Sequence, residues 1–205
     1  TDAFEMMLAL RRIGARALEK LYGAGETDAS YIGGRKPVVP GSVLEEIGEM
    51  ADVAMAEAKL EEIAVVRSNK MRVIVATTDV HEHGKLLIEE ILRRIGVEVI
   101  DGGVSTDVEK LIAQAAEQKP DAVAVSTYNG MALTYYTECK AAMADKQLDI
   151  PLLIGGRLNQ IPDDSNSSLP VDVGDRLSQS GAVVCRNASE IISNLQVIAE
   201  TEANG

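Results

Sequence analysis

The sequence predicts an α/β protein: a parallel, doubly wound sheet of five strands with helices on both faces, preceded by a helical N-terminal extension. Three observations predict it. From Met71 onward, short apolar runs rich in β-branched residues alternate with stretches whose apolar residues recur at helical spacing. Glycine pairs at 102–103 and 155–156 fall where such strands would end. Polar residues gather just past the carboxyl ends of the strands, where open α/β sheets place their ligands.

The elements follow in order. Residues 2–22 carry an apolar stripe of Phe4, Met7, Leu8, Leu10, Ile13, Ala17, Leu18 and Leu21 and read as a helix, ended by Gly23-Ala24-Gly25. Residues 26–41 read as a loop, punctuated by Gly33-Gly34, Pro37 and Pro40. Residues 42–66 read as a second helix, with Ser42 as N-cap and Glu45 closing a capping box. Its methionines, Met50 and Met55, and its alanines read as core packing. Two helices and a loop cannot enclose a core, so residues 1–70 are expected to dock on the following domain or on a partner.

Residues 71–77 then form the first strand and 84–95 a helix. Residues 97–100 form the second strand, and Thr106 or Asp107 caps a helix through Glu117. The third strand is 122–126, followed by a helix over 132–146. The fourth strand is 151–154, ending in Gly155-Gly156. A polar loop spans 162–168, the fifth strand is 182–185, and a last helix covers 188–200. Strands joined this way are parallel, with right-handed crossovers.

Composition narrows the function classes. The 205 residues suffice for one core and an appendage. A net charge of -12 lacks the basic footprint that nucleic acids and anionic membrane surfaces require. No apolar run reaches the roughly 18 residues of a membrane span, and the N-terminus has no signal-peptide pattern. Cys139 and Cys185 are too few for a disulfide scaffold and read as small buried hydrophobes. A reduced, cytoplasmic setting is expected. The start at Thr1 reads as a processed form or a piece of something longer.

The candidate site is the loop Thr77-Thr78-Asp79-Val80-His81-Glu82-His83-Gly84-Lys85, which holds both histidines of the chain. In extended backbone Asp79 and His81 point to one side. A carboxylate that takes one ring N–H leaves the other imidazole nitrogen free for a metal. The residues of the loop read equally as a metal-binding loop and as a solvated polar loop. His83 reads as a second metal ligand, as in a zinc pair, or as a solvent-facing residue; zinc wants three or four ligands, and neither cysteine is near in sequence. At the next strand ends stand Ser126-Thr127-Tyr128-Asn129-Gly130 and Gly155-Gly156. A ligand imidazole, a hydroxyl pair and bare glycine backbone on one crevice suit a large flat or long-tailed ligand.

Asp79-x-His81-x-x-Gly84, then Ser126-x-Tyr128, then Gly155-Gly156, resembles the cobalamin-binding domain family. That family's pattern is Asp-x-His-x-x-Gly, Ser-x-Leu and Gly-Gly, so Tyr128 stands in place of leucine. The resemblance covers about residues 71–200 and implies a flavodoxin-like (Rossmann-like) sheet over a cobalamin-binding domain, 71–205. It implies that His81 is the axial cobalt ligand, oriented by Asp79, with the cofactor's own base displaced. Val80, Glu82 and His83 would lie along the same loop, with His83 able to meet the corrin edge. Gly84 and Ser126 would border the nucleotide tail, and Gly155 and Gly156 would make room for it. Asn187 lies in the turn Cys185-Arg186-Asn187-Ala188-Ser189, which stands where related mutases carry Gly-Pro-Gly-Thr.

Two branches of the family compete. In adenosylcobalamin-dependent mutases of the methylmalonyl-CoA and glutamate type, this domain covers a separate substrate-binding barrel. The run 17–23 resembles the segment before the domain in acyl-CoA mutases, and Ser126-Thr127-Tyr128-Asn129-Gly130 is similar to a glutamate mutase motif. In the alternative, methyl-carrying corrinoid proteins loaded with methylcobalamin place a four-helix cap before the domain. His81-Glu82-His83-Gly84-Lys85 is similar to their His-Asp-Ile-Gly-Lys. Helix count favours the mutase branch. The implied function is radical carbon-skeleton isomerisation with adenosylcobalamin, in a hetero-oligomer with a barrel subunit or domain, since no 250-residue barrel is present here. This chain would not be catalytic alone. A corrinoid-binding or sensing module is the non-catalytic alternative.

Overall fold

The apolar runs after Met71 form one parallel sheet in the computed structural model, which describes residues 41–162 and 169–203. The expectations for 2–22, for 26–40 and for most of the loop 162–168 lie outside those residues. The chain divides into two units, Thr1–Glu46 and Ile47–Gly205. In the first, residues 41–46 are described and are helical.

The sheet contains β1 (Arg72–Thr77), β2 (Glu98–Asp101), β3 (Ala122–Thr127), β4 (Leu152–Gly156) and β7 (Val183–Cys185), in the order β2-β1-β3-β4-β7. All four pairings are parallel. Counting sheet strands alone, this is the flavodoxin-like order 2-1-3-4-5. Its helices are α3 (His83–Arg94), α4 (Val108–Gln118), α5 (Ala132–Asp145), α6 (Gly174–Gln179) and α7 (Glu190–Ala203). The register aligns the strand ends: Thr77 lies opposite Ser126, Thr127 opposite Gly156 and Gly155 opposite Cys185. Every strand end named by the sequence motifs therefore reaches the same level of the sheet.

The central strands are apolar on both sides because helices cover both faces. Ile74, Ala76, Val123, Val125, Leu152 and Ile154 join one core with Leu111 and Ile112 of α4, Tyr136 and Met143 of α5 and Leu177 of α6. Their alternates Val73, Val75, Ala124 and Leu153 are buried too, on the face where α3 packs. Each full burial of a valine or isoleucine contributes about 1.5–3 kcal/mol. The Tyr135 and Tyr136 hydroxyls reach the Thr106 and Ser180 carbonyls at 2.8 and 2.9 Å, so burial of those rings leaves no orphaned donor.

A charge cluster around the buried Lys85 and Glu89 ties α3 to β2. Lys85, 6% exposed, donates to Glu89 at 2.5 Å and contacts Asp101 at 2.9 Å. Arg93 takes the other Glu89 oxygen at 2.8 Å.

The structure corrects several expectations. The helix expected over 42–66 is two, α1 (Gly41–Glu57) and α2 (Leu60–Asn69). Ile47, Ala51 and Ala54 are buried on α1; an unbroken helix would carry that stripe through Ala58 to Glu61 or Glu62. The break re-phases the stripe so that Ile63 and Val66 are buried instead, and α2 packs against α7. Ser42 lies inside α1 rather than at its cap. Met50 is 41% exposed and is not core. Between β4 and β7 stand three unforeseen elements: α6 and an antiparallel pair, β5 (Asn159–Gln160) and β6 (Val171–Asp172). Asp107 occupies the N-cap of α4, but its side chain makes no cap bond. Among the described residues no helix is long and apolar enough to cross a membrane.

Candidate functional site

The loop leaving β1 is pinned from both sides. Thr78 N–H donates to the Ser126 carbonyl at 3.1 Å, and Ser105 N–H donates to the Asp79 carbonyl at 3.2 Å. Asp79 is thereby held 7% exposed. Its Oδ1 accepts the His81 backbone N–H at 2.8 Å and lies 2.6 Å from the His81 ring Nδ1. Its Oδ2 accepts the Tyr128 N–H at 3.0 Å and the Thr78 hydroxyl at 3.2 Å.

Burial alone would raise the Asp79 pKa. The backbone and ring bonds from His81, the Thr78 hydroxyl and the His81 charge outweigh burial and hold the carboxyl below its ordinary value. An ionised carboxylate can only accept, so the proton at their shared bond sits on Nδ1. In the neutral ring Nε2 then carries the free lone pair, on a side chain that is 57% exposed.

Beside the imidazole lies Tyr128, with ring centroids 4.5 Å apart and planes inclined at 39°. The Arg157 guanidinium carbon sits 4.8 Å from the Tyr128 centroid. The main chain of Arg157 is fixed by Thr127: Arg157 N–H donates to the Thr127 carbonyl, and the Thr127 hydroxyl to the Arg157 carbonyl, both at 2.8 Å. Of the expected hydroxyl pair, Thr127 is spent inside the sheet in this way and only Ser126 faces a cavity.

That cavity, of about 230 Å³, is walled by Gly84, Ser126, Gly155, Gly156 and Asn187, with Leu87, Ile88 and Ile191 as its apolar side. Two glycines shape this wall. A Cβ on Gly84 would overlap the Ser126 hydroxyl. Gly156 has φ +90°, and a Cβ there would run into the Thr127 carbonyl oxygen. Asn187 borders the cavity while its Oδ1 accepts the Glu190 N–H at 3.0 Å and so caps α7.

The expected site residues therefore form two groups. Asp79, His81 and Tyr128 make a rim, and Gly84, Ser126, Gly155, Gly156 and Asn187 line the cavity. The remaining three lie along the loop: Val80 is 73% exposed, Glu82 is the N-cap of α3 and His83 its first residue. Among the described residues no three His, Cys, Asp or Glu side chains gather as a metal-binding group. Sequence reasoning missed Arg157 and the cavity-lining Met50. The position of Arg157, directly after the glycine pair at a strand end, was the available signal.

The sequence profile of the B12 binding domain matches residues 69–175. The chain belongs to the B12 binding domain family. Among curated relatives, it is similar to the probable methylmalonyl-CoA mutase large subunits of Mycobacterium bovis and Mycobacterium tuberculosis, 26% identical over 145 residues. That match takes in 69% of this chain but 18% of each relative, so the chain spans under a fifth of their length.

Two crystal structures share the fold. One is a cobalamin-binding protein from Desulfitobacterium hafniense, with a TM-score of 0.52 and 20% identity over 76% of this chain and 77% of that one. The other is the methanol:cobalamin methyltransferase complex of Methanosarcina barkeri, with a TM-score of 0.50 and 22% identity over 66% of this chain and 47% of that one. The residues of this B12 domain fit a cobalt corrinoid: one nitrogen donor is left open by its carboxylate partner, and a glycine-walled cavity opens at the ends of neighbouring strands.

Proposed function

We propose that this B12 domain binds adenosylcobalamin, with His81 as axial ligand to cobalt and the cofactor's own base displaced, and presents it to a substrate-binding barrel. The barrel would be a separate subunit or another domain, and the whole a hetero-oligomeric mutase carrying out carbon-skeleton isomerisation. One observation carries this reading: a buried carboxylate holds His81 Nδ1 and leaves the exposed edge of the ring free for a metal. The likeness to mutase subunits supports the choice of branch.

When bound, adenosylcobalamin supplies a cobalt–carbon bond whose homolysis starts radical chemistry. The chain's own residues supply binding and placement. Asp79 keeps the proton on Nδ1 and fixes the ring. Gly84, Gly155 and Gly156 leave space for the displaced tail, Ser126 offers it a hydroxyl, and Asn187 closes the far wall. Val80, Glu82 and His83 border the corrin along the loop. Leu87, Ile88 and Ile191 keep water from the tail.

Titration of the purified protein with adenosylcobalamin, followed by absorption, tests this reading. With His81 on cobalt one nitrogen base replaces another, so the bound spectrum should stay close to that of the base-on cofactor, and His81→Ala should shift it to that of cofactor without a nitrogen ligand. Identical spectra for the two proteins would refute the ligand assignment. A parallel titration with methylcobalamin tests the branch: much tighter binding of that form, with methyl transfer by a co-purifying partner, would replace the mutase reading with the methyl-carrier one.

A further inference from the structure

From the contacts of Tyr128, we infer that Tyr128 and Arg157 are positioning residues for the His81 imidazole, acting on cobalt only through that ring. The inference rests on the proposal that His81 is the axial ligand. A single bond from Nδ1 to Asp79 sets the distance of the ring but lets it swing about that bond. A second contact is needed to fix its plane, and the Tyr128 ring supplies one at 4.5 Å and 39°, within the range of favourable aromatic pairs. Tyr128 is itself held twice. Its N–H donates to Asp79 Oδ2 at 3.0 Å, on the carboxylate that holds the imidazole. Its ring carries the Arg157 guanidinium at 4.8 Å, within cation–π reach.

Arg157 suits this task. Its main chain is locked to Thr127 through two bonds of 2.8 Å, one residue from Tyr128. It makes no ion pair among the described residues, although Arg72, Arg93, Arg94 and Arg186 all do. The chain of contacts thus runs from Thr127 to Arg157, to Tyr128, to His81. The side chain of Tyr128 can be changed without touching the main-chain bond to Asp79, so the ring's role is separable from that of the loop.

Calorimetric titration with adenosylcobalamin reads the effect. Loss of the aromatic contact in Tyr128→Leu should weaken binding about 2- to 10-fold, and Arg157→Gln about twofold. Tyr128→Phe keeps the ring beside the imidazole and should recover most of the affinity lost in Tyr128→Leu. The decisive measurement repeats Tyr128→Leu in a His81→Ala background. A residue acting through His81 has no further effect there. An undiminished effect would mean that Tyr128 touches the corrin directly or only stabilises the loop, and would overturn the inference.

A second readout covers the case in which His81→Ala binds too weakly to titrate. Electron paramagnetic resonance of the cob(II)alamin complex, made with nitrogen-15-labelled protein, distinguishes a protein nitrogen on cobalt from the cofactor's own. The parent should show the doublet of a labelled ligand. If it shows the unlabelled triplet, the axial-ligand reading itself fails. With the doublet present in the parent, Tyr128→Leu should show a reduced labelled fraction among bound molecules. An unchanged fraction refutes the positioning role and leaves the ligand reading intact.

Discussion

Replacing Gly156 by alanine should damage this fold far more than replacing its neighbour Gly155, although both glycines line the same cavity. Gly156 sits at φ +90°, where an L-residue costs about 1–2 kcal/mol. Its Cβ would also run into the Thr127 carbonyl oxygen and lie 3.1 Å from the Thr127 nitrogen. Those atoms are main chain at the end of the central strand, paired in register with Gly156 itself, so they cannot turn aside. Overpacking of that kind costs about a further 1–3 kcal/mol. At Gly155 the backbone is unstrained, and a Cβ would meet the Cys185 carbonyl at 3.1 Å, tight but open to a small shift. About 1 kcal/mol covers that. Urea unfolding of the apo-protein should show Gly156→Ala losing about 2–5 kcal/mol. For a domain of this size that lowers Tm by about 2–4 °C per kcal/mol. Equal stabilities for the two variants would refute both the strain argument and the register on which it rests.

Three further outcomes test the site and the core. Asp79→Asn should weaken adenosylcobalamin binding about 10- to 100-fold in calorimetry, because the metal-orienting carboxylate is lost and an amide nitrogen replaces one of the two oxygens that accept the His81 and Tyr128 N–H bonds. Lys85→Met should cost about 2–4 kcal/mol in urea unfolding, because it leaves the 5%-exposed Glu89 with Arg93 alone. The thiols of Cys139 and Cys185, pushed by burial to about 12 and about 11, should resist a disulfide reagent at pH 8 until urea exposes them.

The cluster around Lys85 also sets a pH dependence. Burial would raise the Asp101 pKa, but bonds from Lys85 and the Gly103 N–H, with the Lys85 and Arg93 charges, hold it below 3.8. Its contribution is therefore complete above about pH 4 and is lost as pH falls through the lower folded value. Burial would lower the Lys85 pKa, but Glu89 and Asp101 outweigh it and hold it above 10.5. That contribution is complete below about pH 10.5 and is lost as pH rises through the folded value. The stability deficit of Asp101→Asn, measured in urea, should accordingly narrow as pH falls below 4. A deficit constant from pH 7 to pH 3 would refute the assignment.

The sheet and the family were legible in the sequence alone, as was the loop that carries the candidate site. Buried parallel strands leave a signal that survives without any partner in view, because they must be apolar on both sides: Val73-Ile74-Val75-Ala76 and Ala122-Val123-Ala124-Val125 are unmistakable. The same holds for Asp79 and His81, whose bond is made two residues apart and needs no fold to be guessed. Short elements left no such signal. Strands of two residues at 159–160 and 171–172 have no period, and one break at Ala58-Lys59 turned an expected helix into two because burial, not helix propensity, fixed where Ile63 must face. Folding alone commits Thr127 to bonds within the sheet, and brings Arg157, 76 residues from His81 in sequence, to it through a tyrosine ring. Parallel pairing makes neighbours of strand ends that are far apart along the chain, so contacts across the rim depend on strand order and register, which no single segment encodes.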